Sequence, residues 1–475
     1  MRKYIFISGG VISGLGKGIA SSAIAVILKS YGFKVTMMKG DPYLNVDAGT
    51  MNPLEHGETF VLEDGFETDM DIGTYERYTG EIFGRNNSLT SGAIFEKVIK
   101  DERSLAYDGK WVSIDYHVPV AIVDWVKKLG DDNGVDIVII EIGGTVGEIG
   151  NGLFLEANRL LKNEFPDDVI HIHLSYLPVP ENIGEMKTKP VQMSVKELVS
   201  FGVTPNILLA RSHECIDIPR LEKLSMLCSI KKENVFSAPD VDNIYKVVTN
   251  FAKQNLGESL LKELQLSNSV RDSRQRLLID WNERIKRIDG IKNDIDIAIV
   301  AKYYKSGNFD LKDSYASVIE AINHASWSMG VNARLHWIVS EDIENGILDV
   351  NELSKYDGVL VPQGWGSRGV EGKLKAVEFA RNNKIPYLGL CFGMQMAVIE
   401  YARNVLGFND ANTQEANPDT KYKVIHLMDS QVEKIKKREY GGTIRLGAYP
   451  CNVLNGSILE EVYKKYSNDI FPNPN

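Results

Sequence analysis

Hydrophobic and polar positions alternate in blocks over the first 265 residues. Short apolar runs, such as residues 4–7 and the segment VDIVIIEIGG, are separated by amphipathic stretches, of which residues 19–29 form the first. Strand-length apolar runs that alternate with helix-length amphipathic segments are typical of a parallel sheet covered by helices. The pattern predicts an α/β fold for this part of the chain.

The pattern changes twice further along. Residues 266–294 are polar, have helical spacing and offer few side chains for a core, so we interpret them as a linker. From residue 295 a second series of apolar runs begins with IDIAIVAKYY and YDGVLVPQGWG. Since 475 residues are too many for one core, we predict two α/β domains, 1–265 and 295–475, each a mostly parallel sheet flanked by helices.

Composition restricts the class of protein. An apolar fraction of 43% and a charged fraction of 25% are those of a globular protein, and the net charge of −10 argues against a dedicated nucleic-acid binder. No apolar run reaches membrane-spanning length, and the start MRKYIFIS is not a secretion signal, so we expect a cytoplasmic location. The cysteines are too scattered for a disulfide framework or a zinc site; they are Cys215, Cys228, Cys391 and Cys451.

A glycine-rich loop, SGGVISGLGKG, follows the first apolar run and precedes the first amphipathic stretch. Its backbone N–H groups, Lys17 and the following helix N-terminus suit a phosphate group. Five residues separate Gly10 from Gly16, one more than is usual, and Gly18 stands where a Ser or Thr hydroxyl would hold magnesium. The loop therefore predicts a nucleotide site whose metal is held elsewhere, or else only a tight turn in an ordinary βα unit.

Two acidic residues are candidates for that metal. Glu141 closes the apolar run IVIIE directly before a glycine turn, where a carboxylate needs a cation partner. Asp71 lies in the acid-rich segment FETDMDIGTYERY, which a purely solvated loop would also explain. Both positions suit the strand ends at which open α/β sheets bind ligands.

Further cations and acids follow in the first domain. If residues 187–189 are extended, as Pro190 favours, Lys187 and Lys189 project to one side and converge on an anion such as a triphosphate, with Lys223 as a third charge. Most such strings are only solvated loops. Asp240 and Asp242, in SAPDVDNIY, suit a ribose or purine edge, as would any Pro-Asp turn.

The second domain contains one candidate nucleophile. Cys391 lies in LGLCFGMQ, where a strand enters a tight glycine turn before a helix. This arrangement predicts a nucleophile elbow, in which the helix N-terminus lowers the thiol pKa and favours the thiolate. The alternative is a buried structural cysteine.

Several strings in this order resemble the CTP synthase family over nearly the whole chain, through Cys451. They are GGVISGLGKG, KGDPYLNVDAGTMNPLEHGE, ETDMDIGTYERY, EIGGTVGEIG, KTKPVQ, SVKEL and SAPDVDNIY. The segment around Cys391 resembles class I glutamine amidotransferases. The resemblance implies a C–N ligase of pyrimidine biosynthesis that uses ATP and Mg²⁺ to aminate UTP at C4 with ammonia from glutamine. It also implies a homotetramer activated by GTP, with no nucleic-acid or membrane partner.

The resemblance also assigns residues. Lys17 and Cys391 would be catalytic, and Asp71 and Glu141 would hold Mg²⁺. The ATP site would comprise Gly14, Leu15, Gly16, Lys17, Gly18, Ile19, Asp71, Asp240 and Val241. The UTP or CTP site would comprise Ser13, Glu148, Ile149, Gly150, Lys187, Thr188, Lys189, Gln192 and Lys223. Glutamine would be placed by Gly364, Phe392, Gly393, Met394, Gln395 and Glu415.

The glutaminase half departs from the family pattern. A late His-Pro-Glu string is absent, and the histidines after residue 295 are His324, His336 and His426. Gln363 replaces a glycine beside Gly364 in the expected oxyanion loop, and an arginine-rich closing stretch is missing. We therefore expect a glutaminase domain incomplete at its C-terminus and a chain that uses free ammonia.

The acceptor pocket departs as well. Glu148, Ile149 and Gly150 replace the usual Asp-Ile-Glu, and SIDYH, with Asp115 and Tyr116 before His117, replaces an Ile-Pro-His-like string. Two alternatives to a CTP synthase follow. The chain could aminate another nucleotide, or it could be a non-catalytic assembly or regulatory homologue. Retention of Lys17, Asp71, Glu141 and the KTKP string favours catalysis.

Overall fold

The computed structural model describes residues 1–182, 184–267, 272–302, 305–306, 309–310, 312–437, 441–442 and 445–466. The chain divides into two compact units. Unit 1 comprises Met1–Ala48, Phe60–Lys286 and Gly447–Asn475, and unit 2 comprises Gly49–Thr59 and Arg287–Leu446. The domain limits expected from the sequence remain a prediction, and residues 268–271 of the expected linker lie outside the described residues.

The strands in chain order are β1 (Lys3–Gly10), β2 (Val35–Asp41), β3 (Thr59–Val61), β4 (Glu67–Asp69), β5 (Ser88–Thr90), β6 (Ile137–Ile142), β7 (Val169–Tyr176), β8 (Ile207–Ser212), β9 (Val235–Pro239), β10 (Asn293–Ala301), β11 (Lys305–Ser306), β12 (Phe309–Asp310), β13 (Val331–Val339), β14 (Gly358–Val361), β15 (Tyr387–Gly389), β16 (Ala411–Thr413) and β17 (Tyr422–Ile425).

The helices are α1 (Lys17–Ser30), α2 (Pro53–His56), α3 (Met70–Thr79), α4 (Ser91–Arg103), α5 (Ile114–Asn133), α6 (Gly152–Glu164), α7 (Lys189–Ser200), α8 (Ile218–Cys228), α9 (Lys246–Lys253), α10 (Leu256–Glu263), α11 (Asp272–Asp289), α12 (Ala316–Ser328), α13 (Ser340–Glu344), α14 (Val370–Asn383), α15 (Phe392–Asn404), α16 (Asp429–Lys437) and α17 (Ile458–Tyr466).

Unit 1 is built on a seven-stranded sheet in the order β5-β2-β6-β1-β7-β8-β9, with every neighbouring pair parallel. The strands β1, β2 and β6 are buried throughout, which explains their continuous apolar runs. Because all the strands are parallel, their carboxyl ends and the loops that follow them lie at one edge of the sheet. The glycine loop between β1 and α1 lies at this edge.

Unit 2 is built on a four-stranded parallel sheet in the order β13-β10-β14-β15. Apolar side chains of β10 and β14 pack against α13 and α14, and Cys391 follows β15 at the carboxyl edge. Both units therefore confirm the predicted α/β fold of mostly parallel sheets flanked by helices. No helix in the described ranges has the length and apolar character needed to cross a bilayer.

Candidate active sites

The glycine loop is shaped by left-handed backbone conformations. Gly14 has φ +71° and Gly16 has φ +83°, and α1 begins at the next residue with no side chain capping its first turn. Its first N–H groups are therefore available to an anion, as a phosphate-binding loop requires. Lys17 Nζ donates to Gly144 O at 2.8 Å, and its aliphatic chain packs over Gly9. Burial lowers the pKa of Lys17, whereas the nearby Glu141 raises it.

A buried ion cluster lies beside Lys17. Lys39, near the end of β2, donates to Asp71 and, at 3.2 Å, to Glu141 Oε1, and its Nζ lies 3.7 Å from Asp41 Oδ1. Lys39 and Glu141 are direct neighbours in the β2–β6 register. Burial alone would lower the pKa of Lys39, but Asp71, Glu141 and Asp41 raise it well above its usual value. The fold thus brings together Lys17 at the start of α1, Asp71 on α3 and Glu141 on β6.

The carboxylates of this cluster are affected differently by their surroundings. Burial raises the pKa of Asp41 to about 8, although Lys39 opposes the shift. Burial also raises the pKa of Glu141, which accepts a hydrogen bond from the Tyr75 hydroxyl. Burial raises the pKa of Asp71, but Lys39, Lys17 and Asp69 together lower it below its usual value. Sequence reasoning missed Lys39 and Asp41; two charged residues at the end of the strand segment VTMMKGD were the signal.

The donor set bears on the predicted magnesium site. No group of three or more His, Cys, Asp or Glu side chains among the described residues is arranged to hold a metal. Mg²⁺, however, is commonly bound by one or two carboxylates together with substrate phosphates. Asp71 and Glu141 already converge on one cation, the Lys39 ammonium. Their oxygen chemistry therefore fits Mg²⁺ bound together with a nucleotide.

An apolar cleft lies next to the loop. It is lined by five residues of the predicted ATP site, Gly14, Leu15, Gly16, Ile19 and Val241, and also by Arg211 and Phe251. Asp240 forms an ion pair with Arg211 and a 2.8 Å hydrogen bond with His213 Nδ1. The carboxylate of Asp240 is therefore already engaged within the protein, and Arg211 is a lining residue that sequence reasoning missed.

A second, basic pocket contains all five residues predicted to receive the UTP triphosphate: Lys187, Thr188, Lys189, Gln192 and Lys223. The prediction that residues 187–189 are extended is wrong. Thr188 has helical angles (φ −81°, ψ −15°), and α7 begins at Lys189 because Pro190 is tolerated in a first helical turn. The buried Thr188 hydroxyl accepts from Gln192 Nε2 at 3.0 Å. Glu185, Met186 and Arg220 complete the lining and were not predicted.

A buried polar chain joins the glycine loop to α7. Ser8 on β1 shares hydrogen bonds with His171 (2.8 Å) and His173 (2.9 Å), and His173 Nε2 lies 2.7 Å from Ser194 Oγ on α7. Burial lowers the pKa of His173 to about 3, so the ring is neutral. Any side chain at Gly10 would collide with Ser194 and His173.

The other residues predicted to bind the acceptor nucleotide lie mostly in exposed loops. Ser13 is exposed, and Ile149 is 98% exposed. Glu148 Oε1 accepts from the Thr145 N–H at 2.8 Å, and Gly150 packs so closely against Pro42 that a side chain there would require a shift. Gly150, which replaces the glutamate of the family pattern, could therefore carry a larger side chain only if Pro42 moved. Asp115 and Tyr116 are exposed at the start of α5.

Cys391 has the backbone of a nucleophile elbow. It adopts φ +51° and ψ −105° between β15 and α15, a conformation that few non-glycine residues tolerate. A side chain at Gly393 would collide with the backbone of Val361, so the turn requires glycine there. Cys391 is exposed, but the packing around its sulfur partly desolvates the thiol and raises its pKa, while the Phe392 N–H and Lys373 lower it. The lowering expected from the helix N-terminus is therefore outweighed by burial, and the thiol pKa lies above its usual value.

The loop before α14 lies close to other residues that were predicted to bind the substrate glutamine. Gly366 N–H donates to Glu415 Oε1 at 2.7 Å, and Gly364 packs against Lys302 and Lys373. Lys302 Nζ donates to the Trp365 and Gly366 carbonyls and lies 4.3 Å from the centre of the Phe392 ring. Met394 is exposed on α15, and the buried Gln395 Oε1 has no hydrogen-bond partner among the described residues.

Two lysines beneath this loop were missed by sequence reasoning. Burial lowers the pKa of Lys302 to about 8 and that of the fully buried Lys373 to about 7. Lys373 Nζ donates to the Pro362 carbonyl at 3.3 Å. Both side chains hold carbonyls of the loop that carries Gln363 and Gly364.

The three histidines of unit 2 that the sequence analysis named have the following neighbours. His336 Nε2 lies 2.6 Å from Asp296 Oδ1 and packs on Tyr356, and His324 lies 3.8 Å from Glu320. His426 is exposed in the loop after β17.

Comparisons with known proteins agree with this geometry. The family model for the CTP synthase N-terminus matches residues 3–266, and that for class I glutamine amidotransferases matches residues 310–469. The CTP synthase of Methanocaldococcus jannaschii is 45% identical over 100% of this chain and 87% of its own length. That of Nautilia profundicola is 45% identical over 98% and 85%, and that of Halalkalibacterium halodurans is 42% identical over 97% and 84%.

The two matched regions define a ligase that forms a C–N bond and carries a glutamine amidotransferase domain. More narrowly, the chain belongs to the CTP synthase family of pyrimidine biosynthesis. Members of this family use ATP, UTP and glutamine.

Proposed function

We propose that this chain aminates UTP at C4 to give CTP. ATP phosphorylates the C4 oxygen, which is otherwise a poor leaving group, and ammonia then displaces phosphate. The observation that carries the proposal is the convergence of Lys17, Lys39, Asp71 and Glu141 at the edge of the sheet where the glycine loop begins α1.

Each part of this edge has a role in phosphoryl transfer, in which positioning and charge neutralisation supply most of the catalysis. The loop N–H groups and the first turn of α1 bind the ATP phosphates, and Lys17 neutralises charge on the transferring group. Adenosine lies in the apolar cleft beside Val241. Asp71 and Glu141 would hold Mg²⁺, which would neutralise phosphate charge.

The basic pocket binds the acceptor. Lys187, Lys189 and Lys223 supply positive charge, and Gln192 and Thr188 supply hydrogen bonds, so a triphosphate fits the lining. Family likeness further supports a homotetramer activated by GTP.

The nitrogen donor is free ammonia in our proposal. A glutaminase cycle needs a base and acid beside its cysteine. Among the described residues no histidine side chain forms a hydrogen bond with the Cys391 thiol, and burial raises the pKa of that thiol. These observations favour slow thiol chemistry over glutamine turnover.

One observation favours a second candidate, amination of a different pyrimidine nucleotide. Gly150 replaces a glutamate of the family pattern and lies against Pro42, so the segment expected to select the base lacks that side chain.

Product analysis tests both candidates. The protein is incubated with ATP, Mg²⁺, ammonium and one of several pyrimidine nucleotides, and the aminated product is identified by mass spectrometry, with Lys17→Ala as control. CTP from UTP supports the first candidate, and preferential amination of another nucleotide supports the second. ATP-dependent amination of no nucleotide would overturn both and favour an assembly or regulatory role.

A further inference from the structure

The basic pocket already contains an internal anion. Glu185 Oε2 accepts from Lys187 Nζ at 2.7 Å, and Glu185 Oε1 accepts from Arg220 Nη2 at 2.9 Å. One carboxylate therefore bridges two cations of the pocket lining. These two ion pairs lower the pKa of Glu185 and keep it ionised.

Arg220 lies where a bound phosphate could also reach it. It occurs one turn before Lys223 on α8, and residues three apart share a helix face. Both side chains line the pocket together with Lys187 and Lys189. Asp217, which caps α8, also accepts from Arg220 at 2.7 Å and so holds the guanidinium near the pocket.

The four cations are not equally engaged. Glu185 pairs with Lys187 and Arg220, whereas Lys189 and Lys223 have no ion-pair partner among the residues that the structure describes. A polyphosphate that enters the pocket can bind Lys189 and Lys223 directly. It must compete with Glu185 for Lys187 and Arg220. A phosphate oxygen makes charge-assisted hydrogen bonds of the same kind as a carboxylate oxygen, so exchange is chemically matched.

We propose that Glu185 is an internal counter-ion that the acceptor's triphosphate displaces, and that Arg220 thereby becomes a triphosphate ligand. The inference rests on the proposed function, because it takes this pocket as the acceptor site. Arg220 holds phosphate oxygens through its planar fork, which a lysine could not do. Glu185 weakens binding by competing for Lys187 and Arg220, and keeps the two side chains in place when no nucleotide is bound.

Calorimetric titration with inorganic triphosphate tests the exchange without requiring turnover. Removing the charge with Glu185→Gln is expected to tighten binding roughly two- to fivefold, the range for an exposed ion pair. Arg220→Gln is expected to weaken it by a similar factor, and the gain from Glu185→Gln should shrink in the double variant. Glu222→Gln is the matched control, since Glu222 lies on the same helix and pairs with Lys232 outside the pocket. Thermal melting verifies that each variant is folded.

The outcomes are separable. Unchanged or weaker binding in Glu185→Gln, or an Arg220→Gln that behaves like the control, would overturn the exchange. Competition by UTP is measured in the same titrations. If UTP fails to displace triphosphate while both substitutions act as expected, the exchange stands and the assignment of UTP to this pocket is wrong.

Discussion

Asp71 lies where a side chain at position 18 would project. A Cβ atom built on Gly18 would collide with the Asp71 carboxylate, whose position is fixed by Lys39 and by the Asp71 N–H bond to Asp69. The loop therefore lacks the Ser or Thr hydroxyl of a standard phosphate-binding loop for a steric reason. The carboxylate occupies the space of the missing group.

Gly18→Ser should consequently reduce activity instead of improving the loop. We expect ammonia-dependent synthesis to fall at least about tenfold, because either Asp71 or the start of α1 must shift. The double variant Gly18→Ser with Asp71→Ala should regain melting temperature but not turnover. A fully active Gly18→Ser enzyme would show that Asp71 is free to move and is not needed in this position.

Lys17→Ala should reduce turnover by roughly two to three orders of magnitude, the scale for loss of one charge-stabilising group, while the fold survives. The measurement is nucleotide-dependent ADP release. Lys29→Ala is the matched control, because Lys29 lies at the other end of α1 and pairs with Glu81. Near-normal ADP release by the Lys17→Ala variant would show that Lys17 is not a catalytic residue.

Replacing Lys187 and Lys189 together by Ala should raise the apparent KM for UTP at least about tenfold and leave that for ATP within about twofold. The two lysines line the basic pocket and not the adenosine cleft. Lys196→Ala, an exposed substitution on the same helix α7, serves as control. Equal losses for both nucleotides would indicate a shared or structural role.

Asp41 should make stability depend on pH. The folded carboxyl stays protonated up to a pH of about 8, whereas the unfolded one ionises near pH 4. Between these values the folded state binds more protons, so stability falls as pH rises. Asp41→Asn should flatten this dependence, with a melting temperature close to wild type at pH 5 and higher at pH 8. Asp132→Asn, which removes an exposed pair with Lys128, should leave the slope unchanged.

Cys391→Ala should leave ammonia-dependent synthesis within about twofold of wild type, because the thiol lies outside the phosphoryl-transfer chemistry. Glutamine should support little or no synthesis in either protein, measured as CTP formed with saturating glutamine or with ammonium chloride. Cys215→Ala, another exposed cysteine, controls for general thiol effects. Robust glutamine-driven synthesis that disappears in Cys391→Ala would contradict the proposal and make His426 the first residue to test.

The features that the sequence predicted correctly are those that depend on neighbouring residues in the chain. The loop around Gly16, the acid at the end of β6 and the turn at Cys391 each follow from a run of neighbouring residues, and the structure has the corresponding strand, loop and helix. Lys39 was missed because its partners come from distant segments, so the ion cluster exists only after β2 and β6 pair. Arg220 was missed for the same reason. The error at Thr188 arose because proline disfavours helix before it but is accepted in a first turn.

The buried chain from Ser8 through His173 to Ser194 has a practical consequence for redesign of this protein. Its hydrogen bonds connect β1, which leads into the glycine loop, with α7, which carries Lys189 and Gln192. Changes in donor and acceptor preference cannot then be engineered separately near Gly10, since the space there is filled by Ser194 and His173. A library of variants aimed at the preference for one nucleotide should vary the outer pocket residues and leave this hydrogen-bonded chain unchanged.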